Sequence, residues 1–212
     1  MKKLAIIGAG DLGDLISYHA TQDGHYHVVG FYDDYAAKGS VLNNIEVLGK
    51  IAELEEHFSK GIFDVLMIGV GYNHMSFRKT LFEKYDHKIP FGNIIHSSAF
   101  VDPSVKLGTG VFILPGCTLD KSVVIGNNVL LNTSVCIAHD TTIGDHCFLS
   151  PRVSIAGKTH IKHSCVLGIN STIIDNINIE PEIKIAAGTV VIKSLTQKGL
   201  YAGVPAIFKK EL

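Results

Sequence analysis

A histidine followed at once by an aspartate, His139-Asp140, interrupts a stretch of otherwise aliphatic and small residues. A neutral imidazole is the side chain best matched to removing a proton near pH 7, and an adjacent carboxylate favours its protonated form. Eighteen residues further on stands Gly157, whose bare backbone N–H could face a developing oxyanion. Asn132, in the preceding six-residue unit, could orient an acceptor amine or hydroxyl. No Ser or Cys stands as a covalent nucleophile beside His139, which suits direct attack of an acceptor on an acyl donor. A second constellation lies near the N-terminus. Gly8-x-Gly10-x-x-Gly13 follows a short apolar run, and Asp33-Asp34 follows about twenty residues later. Such glycines let phosphates approach a turn, and the acidic pair would accept from sugar or base donors.

What must position His139 is a period of six. Stepping from Val101 through Leu107, Ile113, Leu119, Ile125, Leu131 and Ile137 and on to Val191, every sixth residue is Leu, Ile or Val. Four residues after each anchor comes a small or β-branched residue, among them Cys117, Thr141, Cys147, Val153 and Cys165. A helix of 3.6 residues per turn cannot keep every sixth residue on one face, whereas the strand period of two can. Six residues make one short strand and a corner, and three such sides close a coil of eighteen. Coils stacked at about 4.8 Å bury a ladder of aliphatics. The span has no insertion, which predicts about five uniform coils of a parallel β-helix, roughly 24 Å tall. One coil of eighteen places Gly157 above His139. The three cysteines on the small-residue track are expected to be compact core fillers. His146, His160 and His163 lack comparable neighbours and are expected in solvent.

The first part of the chain has no such period. Leu4–Ile7 reads as a strand entering the glycine turn, followed by a helix to about Gln22. Val28–Tyr32 reads as a second strand and Val65–Ile68 as a third, with helices over Ile51–Ser59 and Met75–Tyr85. Alternating β and α elements predict a small parallel sheet with helices on its faces. The expected fold class is therefore α/β plus all-β. A Rossmann-like nucleotide-sugar-binding domain spans 1–95, and a β-helix with a C-terminal tail spans 96–212. Only half of a doubly wound domain fits in that length, which favours a mononucleotide over NAD.

Bulk properties narrow the classes. The 212 residues carry a formal net charge of −1, so no basic excess advertises nucleic acid or an anionic membrane. No apolar run approaches the roughly 18 residues of a membrane span. The four cysteines lack zinc or disulfide spacing, so no metal is expected and the compartment reads as cytoplasmic.

With these motifs in hand, the chain resembles the sugar O-acyltransferase family of sialic acid O-acetyltransferases and bacterial nucleotide-aminosugar N-acetyltransferases. The likeness spans nearly the whole chain: the Gly8 turn, Phe31-Tyr32-Asp33-Asp34, Ile95-His96-Ser97-Ser98-Ala99, Asn132-Thr133-Ser134, Ile137-Ala138-His139-Asp140, Gly168-Ile169-Asn170 and Gly203-Val204-Pro205-Ala206. The resemblance implies a left-handed β-helix, a homotrimer, and acetyl-CoA held between neighbouring coils near Ile169 and Ala187. It also implies His139 as base with Asp140 as its partner, and nucleotide contacts at Gly10, Asp11, Leu12, Asp33, Asp34 and the Gly69–Gly71 turn. Phe148 stands where relatives can carry a cofactor-side histidine. At the first turn Gly10-Asp11-Leu12 replaces the Ser-Gly-His common in the family.

The expected activity is transfer of acetyl from acetyl-CoA to the amine of a nucleotide-linked aminodeoxysugar, for surface-glycan synthesis. A sugar O-acetyltransferase would use the same base. An NAD(H)-binding oxidoreductase or sensor would explain the glycine turn but leave the His139–Gly157 register idle. An inactive sugar-binding scaffold would have no use for the His-Asp pair.

Overall fold

The computed structural model describes residues 1–212, which fold as two compact units, Met1–Ile94 and Ile95–Leu212. In the first, β1 (Lys3–Ile7) is the inner strand. Its residues Leu4, Ala5, Ile6 and Ile7 are all fully buried, the continuous apolar run of a parallel strand covered on both faces. The chain then passes through α1 (Asp11–Gln22), β2 (His27–Tyr32), β3 (Val41–Leu42), β4 (Ile45–Gly49), α2 (Leu54–Ser59), β5 (Val65–Ile68) and α3 (Met75–Tyr85). Helix α1 turns Gly13, Ile16, Ser17 and Ala20 inward at helical spacing, and Asp11 and Asp14 in its first turn complement the helix dipole.

The sheet order is β3-β4-β2-β1-β5, parallel except for the β3–β4 hairpin. The hairpin is absent from the sequence reading. Its signal was Asn43-Asn44 between two short apolar runs: both asparagines have positive φ, as a two-residue hairpin turn requires. Order matters for function. From β1 the chain moves to β2 on one side and later returns to β5 on the other. The carboxyl ends of β1 and β5 therefore flank a switch point, where open α/β sheets bind ligands.

The second unit is a left-handed parallel β-helix. Two-residue strands repeat every eighteen residues along three sheets, as in Phe100, Thr118, Cys136, Ser154, Thr172 and Val190 of one sheet. The anchors from Ile113 to Val191 are at most 2 % exposed, and the small track from Val111 to Thr189 is buried with them. Each fully buried aliphatic contributes about 1.5–3 kcal/mol relative to exposure. Cys117, Cys147 and Cys165 are fillers on that track, with Sγ facing backbone carbonyls of Asn132, Lys162 and Glu180. Burial pushes the Cys117 thiol up to about 11 and Cys147 well above its ordinary value. At the corners, every sixth residue from Gly110 to Gly188 has φ between +53° and +71°. His146 is buried, against the sequence expectation, and its Nδ1 lies 3.1 Å from Asn128 Nδ2 one coil below. Gly199–Ala202 and Ile207–Lys210 pair antiparallel to finish the coil.

Candidate functional site

His139 and Asp140 form the corner that follows the strand Cys136–Ile137. Asp140 occupies the left-handed position, φ +59°, a conformation that Asp tolerates better than most residues. That geometry brings its Oδ2 to 2.9 Å from His139 Nδ1, with both side chains half exposed. When Nδ1–H donates to the carboxylate, Nε2 keeps its lone pair and is the ring atom available to take a proton. The hydrogen bond from His139, helped by the charges of His139, Lys158 and Lys121, holds the Asp140 carboxyl below its ordinary value.

The eighteen-residue register holds. Ile137 pairs with Ile155, and Lys158 N–H donates to His139 carbonyl oxygen at 3.0 Å. The reason for a glycine at 157 is more specific than its sequence reading. A Cβ there would lie 2.8 Å from His139 Cε1 and Nε2, so it is the imidazole itself that a side chain would collide with. The Gly157 N–H donates to no acceptor in the chain.

Other expected residues separate. Asn132 lies at the opposite end of the Cys136 strand from His139, and its Oδ1 accepts from Thr133 N–H at 2.8 Å. Ile169 and Ala187 stack on that same edge, where Gly188 N–H donates to Ile169 carbonyl oxygen at 2.8 Å. Ile169 is 53 % exposed, accessible to a ligand. Phe148 is not on this edge. It sits in the outer row of another sheet between Leu130 and Val166 and is 6 % exposed, which leaves a ligand almost no surface to touch.

In the α/β unit a cleft of about 500 Å³ opens at the switch point. It is lined by Gly8, Gly10, Asp33, Asp34, Gly69 and Gly71, contributed by the carboxyl ends of β1, β2 and β5. The glycines divide by role. A Cβ on Gly13 would lie 2.0 Å from Gly8 carbonyl oxygen, and one on Gly69 would lie 2.6 Å from Gly13 Cα. Gly8, Gly13 and Gly69 thus allow the two turns and the helix to touch. Gly10 and Gly71 have open space where a Cβ would stand, so they leave the cleft floor bare for a ligand. Gly10 also caps α1 without a side-chain bond, leaving the first-turn N–H groups to an anion.

The acidic pair also divides. Asp33 Oδ2 accepts from Ala9 N–H at 2.9 Å, while Oδ1 accepts from Tyr35 at 2.7 Å and Ala36 at 2.9 Å. Burial works to raise the Asp33 pKa, but those three N–H donors and the Lys50 charge outweigh it and hold it below the ordinary value. Asp33 is thus the organiser of the turn. Asp34 is exposed and spends one oxygen on Ile51 N–H at 3.0 Å, which leaves the other toward a ligand. Asp11 and Leu12 do not line this cleft; Asp11 faces a separate depression with Asp14 and Tyr18. Tyr35, His74 and Phe77, which the sequence reading missed, do line it. Tyr35 directly follows the acidic pair, so its place in the sequence was the available signal.

No group of three His, Cys, Asp or Glu side chains is arranged to hold a metal ion, and no helix is long and apolar enough to cross a membrane. The family model described as the PglD N-terminal domain matches residues 3–85, and that of the bacterial transferase hexapeptide (six repeats) matches 122–157. No curated protein sequence gives a significant match. Among solved structures, a histidine-to-alanine mutant of GDP-perosamine N-acetyl transferase from Caulobacter crescentus, in complex with CoA and GDP-perosamine, is 27 % identical. It covers 100 % of this chain and 98 % of its own, with a TM-score of 0.92. The acetyltransferase domain of PglB from Neisseria gonorrhoeae, in complex with acetyl coenzyme A, is also 27 % identical. It covers 98 % of this chain and 99 % of its own, with a TM-score of 0.88. WeeI from Acinetobacter baumannii, 21 % identical, shares the fold with a TM-score of 0.86 over 99 % of this chain and 100 % of its own. Two family models in the order of the two units, and likeness along the full chain, lead to one conclusion: this chain is similar throughout to the hexapeptide-repeat nucleotide-aminosugar N-acetyltransferases.

Proposed function

We propose that the protein transfers an acetyl group from acetyl-CoA to the amine of a nucleotide-linked aminodeoxysugar. The observation that carries the reading is the His139–Asp140 pair at 2.9 Å, its ring lying on the bare face of Gly157 one coil above. Proteins similar over their whole length bind CoA and GDP-perosamine, or acetyl coenzyme A, which supports both the donor and the class of acceptor. In the proposed step the amine nitrogen attacks the thioester carbonyl while His139 Nε2 takes the nitrogen's proton. The Gly157 N–H stabilises the oxyanion, and the C–S bond breaks to release CoA as its thiolate, which takes up a proton. Asp140 keeps the ring oriented and stabilises its charged form. Gly10, Asp34 and Gly71 hold the nucleotide, with Asp33 shaping the turn.

The homotrimer belongs to the same proposal. Within one copy, His139 and the Ile169–Ala187 edge stand at opposite ends of one sheet side. A second copy would bring its base to a cofactor lying along that edge, where Asn132 Nδ2 of the first copy could meet the acceptor. Acetyl-CoA as donor supports a cytoplasmic reaction.

The test is a direct assay with acetyl-CoA and a panel of GDP-, UDP- and dTDP-linked 4-amino sugars. Thiol release should accompany a product heavier by one acetyl group. The new bond should survive mild alkaline hydroxylamine, as an amide does and an ester does not. An alkali-labile product would make this an O-acetyltransferase, and tight NADH binding without thiol release would end the transferase reading. Light scattering should report three chains per particle.

A further inference from the structure

Behind the cleft lies a cation that no reading of the sequence picked out. Arg78, on the first turn of α3, is 1 % exposed. Its Nη1 donates to the carbonyl oxygens of Ile68 at 2.6 Å and Val70 at 3.2 Å, the residues on either side of Gly69. Desolvation lowers its pKa to about 10, so it stays charged at neutral pH.

The second of these bonds has a geometric consequence. The Val70–Gly71 peptide is trans, the sole cis bond of the chain being Val204–Pro205. In a trans peptide the N–H points opposite to the C=O. With Val70 carbonyl oxygen drawn back onto Arg78, the Gly71 N–H is aimed away from the guanidinium. It meets no acceptor of the chain, and Gly71 lines the cleft with no Cβ in the way. The neighbouring peptide is fixed as well: Ile68 carbonyl oxygen is on Arg78, while Gly69 N–H donates to Ile7 carbonyl oxygen at 2.7 Å. Both peptides of the turn are thus locked, one onto β1 and one toward the ligand.

We propose that Arg78 is the positioning residue that gives this cleft its selectivity for a diphosphate, by fixing the Gly71 N–H as a phosphate donor and setting a buried positive charge behind it. The proposal rests on the nucleotide-sugar reading above and extends it to a residue that touches no substrate. Lys keeps the charge but its ammonium ends short of where Arg78 Nη1 sits and lacks the planar fork, whereas Met can donate to neither carbonyl and has no charge.

The experiment compares wild type, Arg78→Lys and Arg78→Met. Calorimetry is run with GDP, UDP and dTDP, and with GMP, UMP and dTMP as probes lacking the second phosphate. Melting curves without ligand identify which variants are folded. In folded Arg78→Met, affinity for the diphosphate that wild type prefers should fall at least tenfold while monophosphate affinity falls less, narrowing the ratio between them. The KM for acetyl-CoA should not move. Arg78→Lys should recover part of the ratio. A purely structural arginine would weaken both ligands alike, and that outcome overturns the proposal. A second measurement needs no variant: amide hydrogen exchange at Gly71 of wild type should slow at least tenfold when the diphosphate saturates the protein. Nucleotide binding without that protection refutes the role of Arg78 and leaves the transferase reading standing. Failure of wild type to bind any of the six nucleotides removes both.

Discussion

The two units build their sites by opposite means. In the coil, a residue's neighbour is found by adding eighteen, because each short strand pairs only with the strands one coil away. His139 meets Gly157 on that arithmetic. In the α/β unit, the cleft gathers residues 8–10, 33–35 and 69–71, and what unites them is strand order, with β1 lying between β2 and β5. Glycine shows the contrast. At 157 it makes room for the His139 imidazole. At 8, 13 and 69 it lets backbone touch backbone, and at 10 and 71 it leaves a floor open. A regular lattice supplies a precise place for one functional group, whereas an irregular set of turns supplies many backbone donors around a flexible anion.

Four substitutions can break or sharpen that contrast. The largest effect is expected from His139→Ala. Loss of the base should lower kcat by roughly 10²–10⁴-fold with little change in nucleotide-sugar affinity or melting temperature. A folded variant turning over at the wild-type rate would reduce the coil to a scaffold. Gly157→Val comes next. Its Cβ cannot share space with the imidazole 2.8 Å away, and the ring, being the mobile partner, should give way. Displacement by about 1 Å should lower kcat by roughly 10²-fold, with the coil intact by circular dichroism. Unchanged kcat would mean that the ring's place over Gly157 is not the reactive one.

Gly13→Ala tests the other unit. Its Cβ would meet backbone, at 2.0 Å from Gly8 carbonyl oxygen, and backbone cannot swing aside. Destabilisation of about 1–3 kcal/mol is expected, read by denaturant titration together with loss of nucleotide binding. A neutral result would show that the α1 turn is looser than its packing indicates. The smallest effect belongs to Asp33→Asn, which exchanges an ionised acceptor of three backbone N–H groups for a neutral one. Its carboxyl is held below the ordinary value, so its contribution is complete above the usual carboxylate range and is lost as pH falls through the depressed value. The cost should be about 1 kcal/mol at neutral pH. The gap between variant and wild type should close in acid; a gap independent of pH would assign it to packing instead.

The sequence alone determined the coil, its length, its inward ladder and the register that sets Gly157 over His139. Strand pairing at a fixed period leaves no freedom in which residues stack. It also placed the strand and helix on either side of the Gly69–Gly71 turn, since Val65–Ile68 and Met75–Tyr85 end where their apolar patterns end. The β3–β4 hairpin needed the left-handed φ of Asn43 and Asn44, and the coil corners hide the same conformation beneath residues as different as Arg152, Lys158 and Glu182. Hydrogen bonding imposes that backbone at each corner, whatever side chain it carries.

Only the tertiary structure decided which members of the motifs face the cleft. Asp33 and Asp34 are adjacent and chemically alike, yet one is spent on three backbone amides and the other is exposed. Asp11 sits inside the glycine motif but turns to another depression, and Phe148 is buried in an outer row. Arg78 had no motif at all. Its role follows from where two carbonyls of a distant turn point, and a carbonyl's direction depends on backbone torsions that packing fixes and that residue type does not encode.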